Sequence, residues 1–318
     1  MPPTRYHRKI IRIRAEDSPN VRLALAEQAA GKVPSGRVIL PGVLPWDDYV
    51  KRRAMWDKVR QTIGLDGIFY EGSELLLFPP VWLDHAGNLW HQRKARGVRR
   101  AKGIGVDPAE GGASTSLAAG DELGLIEIES HKTPNTAVIP TIILDFMRRH
   151  QVDAEHVAID RGGGGKQHAD RLREWGYNVR TVAFGESISL DPKRGLVLIE
   201  TRMYTKEEKY TYKRRREQMY GELSRLVDPN GPGGGWAIPP EEEGEVYAKL
   251  REQLAPIPLK YDPEGRLELP PKHKRDPKDT TITLVDIIGY SPDEADAVVL
   301  AVHAMQHKSV VVTAGAAW

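Results

Sequence analysis

From Gly103 onward, hydrophobic and polar positions follow a regular order. Ile104-Gly105-Val106-Asp107 is a short apolar strand that closes on an acid. Ser116–Gly120 and Leu125–Glu129 predict two more strands, joined by a turn at Gly120–Gly124. Thr136–His150 has helical spacing, with Val138, Ile139, Ile142, Ile143 and Phe146 on one side. Pro140 fits such a helix only in its first turn, so the helix is expected to begin a few residues late. Val157–Asp160 is a buried strand and Gly162–Gly165 a glycine turn. Lys166–Gly176 is a helix closed by glycine, and Val179–Phe184 is a fifth strand. A long polar helix is predicted over Thr205–Val227 and another over Glu243–Leu254. A hairpin over Leu259–Leu269 turns at Asp262–Gly265, and a final apolar helix runs from Ser291 to His307. This order predicts an α/β fold. Its mixed five-stranded sheet has a three-stranded antiparallel meander on one side and parallel strands beside it, flanked by helices.

The first hundred residues lack that regularity. Turn signals stand at Pro34, Pro41 and Pro45, and Asp17-Ser18-Pro19 looks like the start of a helix before Val21–Ala29. Asp47–Gln61 has an amphipathic pattern, and the basic stretch 91–102 has the character of a linker. The expected organisation is an N-terminal segment, 1–102, followed by one α/β domain, 103–318.

Composition narrows the chemistry. Of 318 residues, 40% are hydrophobic and 28% charged, as in a globular protein. No apolar run approaches the roughly 18–20 residues that span a bilayer, and no membrane partner is expected. Met1–Arg14 is basic and lacks the apolar core of a signal peptide. The absence of cysteine excludes disulfides and thiolate metal sites. A metal would sit on carboxylates, histidines or water, and carboxylates favour hard ions such as Mg or Mn. The net charge of +2, from 46 Lys+Arg against 44 Asp+Glu, is not that of a nucleic-acid coat, but the positive charge is clustered. One run holds Arg93, Lys94, Arg96, Arg99, Arg100 and Lys102. A second holds Lys206, Lys209, Lys213, Arg214, Arg215 and Arg216, and a third Lys272, Lys274, Arg275 and Lys278. Any one run suits a solvated face, whereas three around an acidic site suit a phosphate backbone. Lys166, Lys213, Arg214, Arg215, Lys274 and Arg275 are the expected DNA contacts.

The acids supply the candidate site. Asp107 and Asp160 each end an apolar strand, where a carboxylate is costly to desolvate unless something neutralises it. Ligand sites of open α/β sheets lie at the carboxyl ends of strands, where these two would converge. Alone, a strand-end Asp is more often a turn or helix-capping residue. In the last helix, Ser291-Pro292-Asp293-Glu294 has the form of a capping box with Ser291 as N-cap. Asp293 is therefore in part a first-turn acid favoured by the helix dipole. Asp296 lies one turn further on the same face, ahead of the apolar run Ala297–Val302. Three or four converging carboxylates repel one another and call for cations. Two hard ions suit phosphodiester hydrolysis, one activating a water and the other stabilising the leaving oxygen. Asp107 would bridge them, with Asp160 on one and Asp293 or Asp296 on the other. The glycine loop Asp160–Gln167 has the layout of a nucleotide-binding P-loop but not its chemistry. Asp160 stands where glycine is needed and Gln167 where Ser or Thr must reach magnesium, so ATPase activity is not expected.

These motifs together resemble the nuclease domain of the large terminase subunit of tailed bacteriophages. The resemblance rests on Gly105–Gly112, on Ala158-Ile159-Asp160 with its glycine loop, and on Ser291–Ala297. Tyr212–Met219, Leu226–Pro229, Ala237–Pro240 and Arg266–Lys272 add to it. It spans roughly residues 100–307 and implies an RNase H-like fold and a DNA endonuclease using Mg or Mn. Such an enzyme cuts concatemeric viral DNA during packaging in the cytoplasm of an infected bacterium. The implied partners are double-stranded DNA, the ATPase half of terminase, the small terminase subunit and the portal. The Asp293-x-x-Asp296 spacing also resembles RuvC-type junction resolvases, so a Holliday-junction resolvase or a non-catalytic DNA-binding packaging module are the alternatives. Residues 1–90 resemble the segment between terminase ATPase and nuclease, and neither Walker motif is present. The resemblance thus implies a piece of a longer protein or one product of a split gene. Ala113-Ser114-Thr115-Ser116 follows the first motif where many relatives carry a further acid, leaving Glu110 as a candidate outer residue.

Overall fold

The computed structural model describes residues 12–306, apart from 56–60, 62–63, 69–74, 95–96, 98, 110–113, 188–195, 200–201, 206–211, 232, 264, 275 and 277. The chain forms two compact units, Met1–Ser73 and Glu74–Trp318. The first holds α1 (Pro19–Ala29) and α2 (Trp46–Met55) around a small core of Val21, Tyr49 and Leu65. Buried Asn20 pins the loop beside them. Its Oδ1 accepts from the backbone of Ile39 and Leu40, and its Nδ2 donates to the carbonyls of Leu40 and Val43. Ser18 does not cap α1 through its side chain; its hydroxyl bonds to Leu44 instead.

The second unit begins with α3 (Pro80–Lys94), whose Leu83 and Ala86 enter the main core. Then come β1 (Gly103–Asp107), β2 (Ser114–Asp121), β3 (Gly124–Lys132), α4 (Ile139–His150), β4 (Val157–Asp160), α5 (Gly165–Glu174) and β5 (Arg180–Val182). These five strands make one sheet in the order β3-β2-β1-β4-β5. The β1–β2 and β2–β3 pairs are antiparallel, and the β1–β4 and β4–β5 pairs parallel, as the pattern predicts. Pro140 lies in the first turn of α4, after a short 3-10 turn at Thr136–Val138. Beyond the sheet lie a hairpin of β6 (Leu196–Ile199) and β7 (Arg202–Thr205), α6 (Arg215–Val227) and α7 (Glu245–Leu254). The chain continues through β8 (Lys260–Tyr261), β9 (Leu267–Glu268), α8 (Leu284–Ile288) and α9 (Asp293–Met305). No helix among the described residues is long and apolar enough to cross a membrane.

Two expectations need correction. The polar helix predicted over Thr205–Val227 begins only at Arg215, and Thr205 ends β7. The basic stretch 91–102 holds structure together. The Arg93 guanidinium bonds to the carbonyls of Leu123 and Gly235, and that of Arg99 to those of Gly124 and Leu125, with Asp121 at 3.2 Å. A guanidinium carries several donors in a fixed fork, which suits it to a turn whose carbonyls face inward.

Alternation along the strands assigns their side chains to two cores. Ile104, Val106, Val157 and Ile159 pack under α4 and α5. The intervening positions face α9. A Cβ on Gly105 would stand 2.0 Å from the Ala297 carbonyl oxygen, and one on Gly103 would stand 2.7 Å from that of Ala301. These glycines let a helix that is buried on every side from Asp293 to Ala304 lie directly against the strand. By the same period of two, Asp107 continues the face of Gly103 and Gly105, and Asp160 continues that of Ala158, which belongs to the α9 core. The parallel register Val106↔Ile159 sets the next residues, Asp107 and Asp160, side by side at the strand ends.

Candidate active site

The first turn of α9 faces those strand ends. Asp296 is fully buried, and Asp107 and Asp293 are nearly so, at 6% and 8% exposure. The Lys272 ammonium stands among them. Lys272 Nζ lies 2.9 Å from Asp296 Oδ2, 3.3 Å from Asp107 Oδ2 and 3.5 Å from Asp293 Oδ1. Asp160 joins through its charge, which acts on Asp107, and its carboxylate accepts backbone hydrogen bonds from Gly162 and Arg161. Four acids therefore share a corner at the carboxyl end of the sheet.

Their proton affinities show the strain. Burial, only partly offset by Lys272, raises Asp107 well above the usual carboxylate range, and the charges of Asp296, Asp160 and Asp293 add to it. Burial pushes Asp160 up to about 6, against the backbone hydrogen bond from Gly162. Burial likewise raises Asp293. Asp296 goes the other way. Burial alone would raise it, but the charges of Lys272 and Arg216, with hydrogen bonds from Lys272 and Tyr220, hold it below the ordinary value. Lys272 is held above the usual ammonium range despite burial, because Asp296 and Asp107 favour its charged form.

The backbone around the site is built for close approach. Gly163 and Gly164 have positive φ, +52° and +74°. A Cβ on Gly165 would meet the Asp160 carbonyl oxygen at 1.8 Å. The glycine loop is thus folded tightly against Asp160 itself, which accounts for its composition without a nucleotide. The Lys272 segment is tied down on two sides. Leu284 N–H donates to the Pro271 carbonyl at 2.8 Å, and Arg216 Nη1 to that of Pro270 at 3.1 Å. The α9 terminus is held by Gln253, whose Oε1 accepts from Ala295 N–H at 2.8 Å. The capping box expected at Ser291 does not form. Pro292 is the N-cap without a side-chain bond, and the Ser291 hydroxyl turns to Asp293 Oδ1. Glu294 is engaged elsewhere, accepting from Ser130 at 2.9 Å and Gln253 at 2.5 Å.

The remaining expected residues are spread out. Lys166, in the first turn of α5, is exposed, as are Lys213 and Lys274. Lys274 lies 3.5 Å from Asp286. Arg214 is half-buried. Arg215 is buried at 1% exposure with Glu186 at 3.5 Å, a position inside the protein rather than on a DNA-facing surface. Arg275, Glu110, Lys206 and Lys209 lie outside the described residues. Trp175, just past α5, is 42% exposed, with Arg171 over its ring. His168, in the first turns of α5, is buried.

Sequence reasoning counted Lys272 only as one charge in a basic run and passed over Tyr220, whose hydroxyl donates to Asp296 Oδ1 at 2.7 Å. Lys272 follows Leu267-Glu268-Leu269-Pro270-Pro271 at the head of a basic run, and that local pattern carries no sign of its acidic partners.

The chemistry of this donor set fits hard divalent ions: carboxylate oxygens, clustered, buried and in charge excess. Among the described residues, no three His, Asp or Glu side chains are close enough together to hold one ion as they stand, and Lys272 supplies the positive charge at their centre. No protein-family model matches the chain, and no curated protein matches it. Solved structures do. The nuclease domain of the large terminase subunit gp2 of bacterial virus Sf6 is 17% identical, with a TM-score of 0.53, over 74% of this chain and 100% of that one. A lysine-to-alanine mutant of that domain with manganese and β-thujaplicinol gives 18% and 0.54 over the same coverage, and a lysine-to-alanine mutant with calcium 18% and 0.51. The resemblance drawn from the motifs is matched in three dimensions, and the chain carries the RNase H-like fold of the terminase nuclease domain.

Proposed function

We propose that this chain is a metal-dependent DNA endonuclease that cuts concatemeric viral DNA during genome packaging. The observation that carries the reading is the cluster of Asp107, Asp293 and Asp296 around the Lys272 ammonium, with the Asp160 carboxylate close enough for its charge to act on Asp107. A protein that only binds DNA gains nothing by massing carboxylates where phosphates must come, because the like charges repel. In this reading Mg or Mn ions, two of them, supply activation of a water and stabilisation of the leaving oxygen when bound. Asp107, beside Asp160 at the strand ends, would be shared by the two ions, with Asp160 holding one and Asp293 or Asp296 the other. Lys272 keeps the acids together by neutralising part of their charge. Exposed Lys166, Lys213 and Lys274 offer ammonium groups to the DNA backbone, a contribution that weakens with salt.

The further parts of the reading follow from the same likeness. The substrate is double-stranded DNA, and the site of action is the cytoplasm of an infected bacterium. The partners are an ATPase half of terminase, the small terminase subunit and the portal. The test is cleavage of plasmid DNA with Mn by the wild type and by Asp107→Ala. Loss of cleavage in the variant is expected, and equal cleavage by both overturns the site.

A further inference from the structure

The two oxygens of Asp296 have different partners. Oδ2 faces Lys272 Nζ at 2.9 Å, the ammonium shared with Asp107 and Asp293. Oδ1 accepts the hydroxyl hydrogen of Tyr220 at 2.7 Å, from α6. Both residues are fully buried. The Tyr220 ring is itself held. The Arg216 guanidinium lies 5.4 Å from its centroid, and Arg216 Nη1 bonds to the Pro270 carbonyl, two residues before Lys272. One turn of α6 thereby fixes both the carboxylate and the segment that carries its counter-charge.

Resting on the metal-dependent reading above, we propose that Tyr220 is a specificity-determining residue for the metal ion. By donating to Oδ1 it makes chelation through both oxygens of Asp296 less favourable once an ion displaces Lys272 from Oδ2, and so favours small octahedral ions over calcium. Magnesium and manganese take few, singly bound carboxylate oxygens. Calcium takes more oxygens at longer distance and readily accepts both oxygens of one carboxylate. Chelation through both oxygens competes with the Tyr220 hydrogen bond for Oδ1 in a dry interior, where no water replaces a weakened bond. Hydrogen bonds to a ligand's other atoms commonly set metal affinity in this way.

The test is calorimetric titration of the whole chain with Mn, Mg or Ca alone. Tyr220→Phe, which keeps the ring and removes the hydroxyl, should weaken Mn and Mg binding roughly tenfold while leaving Ca unchanged or tighter. The Mn-to-Ca affinity ratio then falls by about that factor. A residue that only fills space weakens all ions alike, and an unchanged ratio overturns the proposal. In an Asp296→Asn background, Tyr220→Phe should no longer move the ratio; if it does, Tyr220 acts through some other group and the proposal falls. Should Tyr220→Phe not fold, Arg216→Lys keeps the hydroxyl but withdraws the planar cation from the ring, and a smaller fall in the same ratio is expected; no fall overturns it. Wild-type protein that binds no divalent ion overturns the metal-dependent reading itself, whereas wild-type binding with an unmoved ratio overturns only the assignment to Tyr220.

Discussion

Two buried acids stand two residues apart in the first turn of α9, and the protein meets them in opposite ways. Glu294, 4% exposed, has both oxygens taken by neutral donors, Ser130 and Gln253. Gln253 also accepts from Ala295 N–H, so the pair locks the helix to α7 and to the meander. Asp296, 0% exposed, accepts from one neutral donor and one ammonium and faces three further carboxylates. Burial alone therefore does not mark a functional acid. What separates the two is the balance of charge around them: each oxygen of Glu294 has its neutral donor, while the group at Asp296 sets Lys272, with the added charge of Arg216, against four acids. Such an excess is costly in the folded protein and has a use only if a cation relieves it.

The largest expected effect breaks the comparison at its functional end. Asp107→Ala should lower metal-dependent cleavage on the order of a thousandfold, as loss of a group acting on the reacting atoms commonly does. Glu294→Gln should leave cleavage per folded molecule close to wild type. Plasmid nicking at matched folded concentration separates the two, and equal losses would dissolve the distinction. Next in size is Lys272→Ala. Removing one partner of a buried ion pair commonly costs about 3–5 kcal/mol, so the chelated protein should show a clear drop in Tm. Added Mn should recover more stability in this variant than in wild type, because the acids then have only the ion to neutralise them. A Tm unchanged under chelation would mean that Lys272 does not hold the acids together. Glu294→Ala comes third. It leaves buried donors on Ser130 and Gln253, at a cost of about 1–3 kcal/mol, readable in urea denaturation, with metal affinity kept.

How much of this was legible in the sequence follows the same division. Strand-end acids and alternation are local, and Asp107 and Asp160 could be placed on one sheet end from four or five residues of pattern each. The order of strands, and with it the sheet, came from the same periodicities. Lys272 and Tyr220 were illegible because nothing near them in the chain needs them. Their partners are 24 and 76 residues away, and only packing of α6 and the β9–α8 connection onto α9 brings them in. Local signals also misled where a tertiary partner outbid them. Ser291 had the form of an N-cap, but its hydroxyl goes to Asp293 and the α9 terminus is served by Gln253. Arg215 looked like part of a basic surface but is drawn inside beside Glu186, because charge runs do not say which face of a helix is buried.

The smallest effect sharpens the comparison by pH. Burial pushes the Asp160 carboxyl in the folded protein up to about 6, above the roughly 3.9 of an aspartate in an unfolded chain. A raised carboxylate means that the folded state holds its proton more tightly than the unfolded chain. Stability then falls as pH rises through the window between the two values and levels off above it. From about pH 5 to about pH 7 this one group should cost the chelated protein on the order of 1 kcal/mol. Asp160→Asn has no such proton to lose, so its stability curve over that range should be flatter than that of wild type by this amount. Urea denaturation in the presence of chelator at the two pH values measures it. The sign reverses for the metal. An ion must displace the Asp160 proton at low pH, so affinity for Mn should rise across the same window in wild type and rise less in the variant. Parallel stability curves for the two proteins would mean that burial does not hold Asp160 in its protonated form. The charge excess that distinguishes it from Glu294 would then have to rest on the other three acids.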